Sequence, residues 1–169
     1  MNDVVVEARD GDPVRTITLN RPDKRNALTR EMFETLIEAF EAPPSPGLRV
    51  TVVASEGPVF CAGVDLGQRE TNSSDAGTSP LELLCDAIHR HQLPVVASVQ
   101  GAAIGGGMML ALHCDVVVAE AGARFQNAAV QMGLVPAWHP ARRIAAAAPA
   151  PIARKLLVLG EAVTADRLA

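Results

Sequence analysis

Aromatic side chains are scarce in this 169-residue chain, at 3% of the total. The core must therefore be assembled from Ala, Val, Leu, Ile and Met, which pack closely and leave few large anchors. Basic charge is not in excess either. Fifteen Lys and Arg against nineteen Asp and Glu give a formal net charge of -4. That argues against a nucleic-acid surface, which would need a clustered basic patch. No apolar run approaches the length of a membrane span. The N-terminus, Met1-Asn2-Asp3-Val4, has an early acid and no basic stretch leading into an apolar one, so no signal peptide is expected. Cysteines are few and spread, at 61, 85 and 114. An odd count without a CxxC pair fits reduced thiols in a cytoplasm and argues against a disulfide framework or a zinc site.

What is present is ordinary for a globular domain: 49% hydrophobic and 20% charged residues. The length suffices for one domain, over residues 1–169, with a real core. Val4-Val5-Val6 and Val14 to Leu19 flank the turn Gly11-Asp12-Pro13 and predict a hairpin. In the second run Ile17 and Leu19 share one face and Arg15 breaks the other. A polar loop, Asn20 to Asn26, follows. Thr29 is placed to cap a helix in which Phe33, Leu36, Ile37 and Phe40 form one buried stripe. The prolines of Pro43-Pro44-Ser45-Pro46 stop it.

Leu48 to Ala54 is almost continuously apolar and β-branched, which predicts a parallel strand buried on both faces. Gln68 to Ser79 is polar and aperiodic, and a mobile surface loop is expected there. Pro80 suits the first turn of a helix carrying Leu81, Leu84 and Ile88. Val95 to Val99 and Asp115 to Ala119 read as further strands. Between them, a glycine-rich turn opens an apolar helix from Met108 to Leu112. Helices are expected at about residues 140–147 and 152–159, with a last one starting at Thr164. Strands alternating with helices define an α/β architecture with parallel pairing.

Two segments carry the chemistry: Pro58-Val59-Phe60-Cys61-Ala62-Gly63-Val64-Asp65-Leu66 and Gly101-Ala102-Ala103-Ile104-Gly105-Gly106-Gly107. Each follows a buried strand and offers backbone N–H groups at its end. Glycines let a ligand approach the main chain, and the helix behind the second adds the positive end of its dipole. Two such donors aimed at one point would stabilise a developing oxyanion. Each segment alone reads equally well as an ordinary strand-to-helix turn. Neither matches GxGxxG or the P-loop, which disfavours a nucleotide cofactor.

Taken together, Ile17-Thr18-Leu19-Asn20-Arg21-Pro22, Asn26-Ala27-Leu28, Phe60 to Leu66, Gly101 with Gly105-Gly106-Gly107, and Cys114-Asp115 closely resemble the enoyl-CoA hydratase/isomerase (crotonase) superfamily. The resemblance spans essentially the whole chain. It implies a crotonase-like spiral of ββα units with parallel sheets, binding an acyl-CoA thioester as a homotrimer or hexamer. Coenzyme A enters as part of the substrate, with no separate cofactor or metal. By position, Val64 and Gly106 supply the oxyanion-hole amides. The loop bearing Lys24, Arg25 and Ala27 would meet the nucleotide of CoA, where basic side chains suit phosphates; Lys24 and Arg25 also read as a solvated loop. Ala62, Asp65, Leu66 and Ile104 would lie near the pantetheine and thioester. Asp65 reads equally as a residue that pins the turn.

The departures from the family pattern are chemical. A hydratase of this type uses two glutamates to activate water. Here the corresponding positions are Met109 and Ala129, and neither can move a proton. His139 is the candidate substitute base, or else a loop histidine beside Pro140. Met109, Met132 and Trp138, with Met108, Leu134 and Val135, read as acyl-pocket lining or as core. Cys61 and Cys114 read as packing groups, His113 as a helix-end residue, and His89 and His91 as solvated. The resemblance further implies a C-terminal helical region, which the sequence stops short of. Three functions stay open: thioester chemistry other than hydration, acyl-CoA binding without turnover, and partnership with a full-length relative.

Overall fold

The computed structural model describes residues 2–8, 11–68, 79–135 and 138–168. In chain order its elements are β1 (Val4–Ala8), β2 (Val14–Leu19), α1 (Arg30–Glu41), β3 (Val50–Ser55), α2 (Pro80–Arg90), β4 (Val95–Val99) and β5 (Ala102–Ile104). They continue with α3 (Gly106–His113), β6 (Val116–Ala119), β7 (Arg124–Gln126), α4 (Trp138–Ala147), α5 (Ala150–Arg154) and β8 (Val163–Thr164). β1 and β2 form the hairpin expected from the sequence, and Asp12 Oδ1 accepts the Val14 N–H at its turn. From β2 onward the larger sheet is parallel, in the order β1-β2-β3-β4-β6. A smaller sheet runs β5-β7-β8.

Single parallel bridges join Cys61 to Ala103 and Leu28 to Val64. The chain therefore circulates as large-sheet strand, small-sheet strand or bridge, then helix. The circuits are β2, Leu28, α1; then β3, Cys61, α2; then β4, β5, α3; then β6, β7, α4. This is a spiral of ββα units. The inner face of the large sheet is made by Ile17, Leu19, Val53, Val95, Ala97 and Val99, all buried. Against it α1 lays Met32, Leu36 and Phe40, and α2 lays Leu84, Ala87 and Ile88. Each fully buried Leu, Ile or Phe contributes about 1.5–3 kcal/mol. Thr29 Oγ1 accepts the Met32 N–H and caps α1; Ser79 and Glu82 form a reciprocal capping box on α2. α3 is buried from Gly106 through Ala111 because it lies between the sheets. Its C-terminal carbonyls, on Leu112 and Cys114, are taken by the Arg143 guanidinium, a cation at the negative end of the helix.

Several expectations need correction. β3 is parallel and central, but only Thr51 and Val53 are buried; its other face is half-covered, because the described helices pack on the inner side. α3 begins at Gly106, two residues before the apolar run, since glycine at its start leaves the N-terminal turn free to enter between the sheets. Thr164 ends the two-residue strand β8 and is followed by a 3-10 turn, not a helix. The segment 152–159 divides into the end of α5 and a π turn over Lys155–Leu159. Most of the polar segment between Gln68 and Ser79 lies outside the described residues.

Arg15 does not break the opposite face of β2. It shares the inner face with Ile17 and Leu19, as residues two apart must, and is 6% exposed. Its Nε and Nη2 donate to Thr51 Oγ1, and Nη1 donates to the Ala39 carbonyl. His91, expected in solvent, completes this cluster. Its Nδ1 lies 2.8 Å from the Phe40 carbonyl and so carries the proton, leaving Nε2 to accept from Arg15 Nη2 at 3.1 Å and Thr51 Oγ1 at 3.2 Å. The His91 ring also meets Phe40 edge-on, at 5.5 Å between centroids.

Burial holds the His91 pKa below its usual value, and the Arg15 charge adds to this; the Phe40 carbonyl and Asp115 oppose it. A histidine whose folded pKa is depressed stabilises the fold above the unfolded value and loses that stabilisation as pH falls. Melting temperature is therefore expected to drop between about pH 7.5 and about pH 5.5. His91→Gln should show a smaller drop over that window. It should not abolish the drop, because burial also depresses the His113 pKa. An equal or larger drop in His91→Gln would rule His91 out as the titrating group.

Candidate active site

The site begins with an unusual loop. Arg25 and Asn26 both have φ of 53°, the left-handed region that asparagine tolerates better than most residues. The Asn26 side chain is fully buried. Its Oδ1 accepts the Arg21 N–H, and its Nδ2 donates to the Glu56 and Val59 carbonyls. The loop so fixed then holds the next segment. Arg25 O accepts the Ala62 N–H, Asn26 O accepts the Cys61 thiol, Leu28 N–H donates to Gly63 O, and Leu28 O accepts the Asp65 N–H. Gly63 and Asp65 are thus clamped on either side of Val64. Among the described residues no acceptor takes the Val64 N–H.

The second wall is the β5–α3 junction. Gly105 N–H donates to Gln126 O, and Gly105 O accepts the Met109 N–H of the first helical turn. Gly106 is the first residue of α3, so its N–H has no partner within the helix. The two segments touch: a Cβ placed on Gly106 would stand 3.4 Å from Val64 N, and one on Gly63 would stand 3.2 Å from Gly106 N. Among the described residues, then, two amides without an acceptor sit side by side at strand ends, one of them at a helix N-terminus.

They open into a cavity of about 380 Å³. Of the residues expected at the site, Ala62, Val64, Leu66, Ile104, Gly106 and Met132 line it, as does Leu134. Phe33 of α1, Ser79, and Leu81 of α2 line it too. The sequence marks Phe33 and Leu81 only as periodic core residues and Ser79 as a loop end, so nothing in the local pattern distinguishes them as cavity wall. No described lining residue has an ionisable side chain.

The remaining candidates lie elsewhere. Met109 is 5% exposed and packs in the core, as does Met108. Ala129 starts the 3-10 turn that carries Met132, and its neighbour Ala128 reaches the cavity. Lys24 and Arg25 are exposed on the pinned loop, and the Ala27 carbonyl accepts from Arg21 Nη1. Asp65 pins its own turn: Oδ2 pairs with Arg21 Nη1 at 2.7 Å and Oδ1 accepts the Gly67 N–H. Those bonds hold its carboxyl below the usual range. Trp138 is 72% exposed at the start of α4. The His139 side chain lies outside the described residues. Burial pushes the Cys61 thiol up to about 12, so at neutral pH it is a protonated donor to Asn26 O and no nucleophile.

A ββα spiral with paired main-chain donors at the mouth of an apolar cavity defines a protein of the crotonase-like α/β class. The enoyl-CoA hydratase/isomerase family model matches residues 9–169, and the chain belongs to that family. It is 32% identical over 164 residues to human enoyl-CoA hydratase domain-containing protein 3, mitochondrial, covering 94% of this chain and 54% of that protein. The crystal structure of that human protein superposes with a TM-score of 0.87 at 30% identity, over 99% of this chain and 67% of the other. The structure of an enoyl-CoA hydratase from Polaromonas sp. JS666 gives 0.85 at 35% identity, over 98% and 66%. The chain spans 60% of the length of a probable peroxisomal enoyl-CoA hydratase from Arabidopsis thaliana, to which it is 31% identical. No described helix is long and apolar enough to cross a membrane.

Proposed function

We propose that this chain binds an acyl-CoA thioester with its carbonyl oxygen between the Val64 and Gly106 N–H groups, and does not hydrate enoyl substrates. The observation that carries this is the pair of unpaired amides at the apolar cavity. Two fixed donors there would polarise a thioester carbonyl and stabilise an enolate oxygen. Lys24 and Arg25, exposed on the loop that clamps Val64, are the residues offered to the CoA phosphates. Met109 and Ala129 at the two glutamate positions, together with a described wall free of ionisable groups, support binding without water activation. If the family's assembly applies, the binding unit is a homotrimer or hexamer, which light scattering would reveal.

Calorimetry with crotonyl-CoA, run beside its absorbance, tests this. Saturable binding without loss of the enoyl chromophore is expected. Loss at an enzymatic rate would overturn the exclusion of hydration, and retained turnover in His139→Ala would then eliminate His139 as the base. Gly106→Ala sets a methyl group beside the Val64 amide. It should weaken thioester binding by about tenfold or more while leaving the melting temperature nearly unchanged. Undiminished binding in that variant would remove Gly106 from the carbonyl site.

A further inference from the structure

We infer that Arg15, Thr51 and His91 form a proton-operated latch, which holds the C-terminal ends of α1 and α2 against the large sheet and releases them in acid ahead of general unfolding. The last carbonyls of a helix have no partner within it. Two of those on α1 are taken by this cluster: Arg15 Nη1 donates to Ala39 O at 2.9 Å, and His91 Nδ1 donates to Phe40 O at 2.8 Å. His91 is also the residue that ends α2. Arg15 belongs to β2 and Thr51 to β3, so one cluster of hydrogen bonds ties both helix ends to two strands. The bodies of the helices are held separately, by Met32 and Leu36 of α1 and by Leu84 and Ala87 of α2. The same two helices supply Phe33 and Leu81 to the cavity wall, so the latch acts on the frame of the candidate site.

The closed cluster fits only a neutral imidazole. Its Nε2 faces Arg15 Nη2 at 3.1 Å and Thr51 Oγ1 at 3.2 Å. A guanidinium can only donate, and the Thr51 oxygen already accepts from Arg15 Nε and Nη2. A proton on Nε2 would find no free acceptor and would stand against a cation. Among the described residues no carboxylate pairs with Arg15 to relieve that clash. Asp115, before β6, favours the charged ring, but its carboxylate already accepts the Val95 N–H at 2.8 Å. Glu38 and Glu41 of α1 are exposed, and on α2 His89 is exposed and Arg90 pairs with Asp86. The ring therefore takes up a proton by leaving the cluster, which uncaps Phe40 O and removes an acceptor from Arg15. A histidine freed in this way titrates near its ordinary value of about 6.5, and the closed one titrates below it. Opening therefore becomes easier as pH falls through that interval.

Amide hydrogen exchange at pH 7.5 and pH 5.5, corrected for the intrinsic rate, tests this on the whole chain. Protection over residues 37–42 and 87–92 should fall by about five- to tenfold at the lower pH, while that of β3 and β4 stays within about twofold. In His91→Gln, which cannot be charged, the fall should disappear; in His113→Gln it should persist. An equal loss of protection in β3 and β4 would show acid acting on the whole fold and overturn the latch. A fall that persists in folded His91→Gln would assign the proton to another group and overturn it as well. Should His91→Gln fail to fold, the ring resonances of His91 in the parent chain decide. Their titration should coincide with the loss of protection over 37–42, and titration at the ordinary value with protection intact would overturn the inference.

Discussion

A single methyl group at Gly107 is expected to cost this chain its fold, whereas the same methyl one residue earlier is expected to cost it only its ligand. A Cβ on Gly107 would stand 2.3 Å from the Cys61 carbonyl oxygen and 2.6 Å from Cys61 Cβ. Neither is the free end of a flexible side chain. The Cys61 carbonyl accepts the Ile104 N–H and its N–H donates to Ala102 O, so the segment cannot back away without opening the small sheet. Overpacking ordinarily costs about 1–3 kcal/mol, and a main-chain collision with hydrogen bonds at stake belongs at the upper end or above. Against a total stability of about 5–15 kcal/mol, Gly107→Ala should show a large fall in denaturation midpoint or an insoluble product. At Gly106 the nearest atom is Val64 Cγ2 at 3.3 Å, a side-chain end that can shift by a few tenths of an ångström. A Gly107→Ala protein within about 1 kcal/mol of the parent would show that α3 and Cys61 are not packed as described.

Asn26 should prove nearly as costly to replace. Its amide satisfies three main-chain groups in a fully buried position, and its backbone sits at positive φ. Removing the amide strands those groups, at about 1–3 kcal/mol for each one that water cannot reach. Asn26→Ala is expected to lose on the order of 3–5 kcal/mol by chemical denaturation. Asn26→Gly should lose about 1 kcal/mol less, because glycine accepts the left-handed conformation without a Cβ penalty. Asn26→Asp keeps the acceptor for Arg21 but turns a second acceptor toward the Glu56 and Val59 carbonyls, so it should offer little rescue. Near-parental stability in Asn26→Ala would mean that the loop is held by Arg21 and Asp65 instead.

The spiral was legible because its long elements announce themselves. The α1 stripe, the Thr29 cap, the hairpin turn and the buried valine runs each follow from local periodicity, and the glycine segments stand in the order that the family resemblance requires. The short strands were not legible: β5 and β7 have three residues each and β8 two, too few for an alternation signal. Arg15 and His91 were misplaced for a different reason. A charged or imidazole side chain reads as solvated unless its partners are seen, and here they stand 36 and 76 positions apart from Arg15 along the chain. The cavity wall had the opposite problem. Phe33 and Leu81 carry the same apolar signature as any core residue, and only the packing of α1 and α2 around the Val64 segment turns them toward a ligand space.

The clamp of Leu28 on either side of Val64 bears on how such a site can be dissected genetically. In the proposed thioester site the group offered at position 64 is a peptide N–H, which every residue except proline possesses. A side-chain scan would test only the part of the Val64 side chain that lines the cavity and would leave its peptide N–H in place. Sensitivity would surface instead at the residues that aim the peptide, Asn26 and Leu28, far off in sequence. Replacing the Val64 amide by an ester through chemical synthesis removes the donor, at the cost of a weaker Gly63 carbonyl for the Leu28 N–H, and so interrogates the atom that mutagenesis cannot reach.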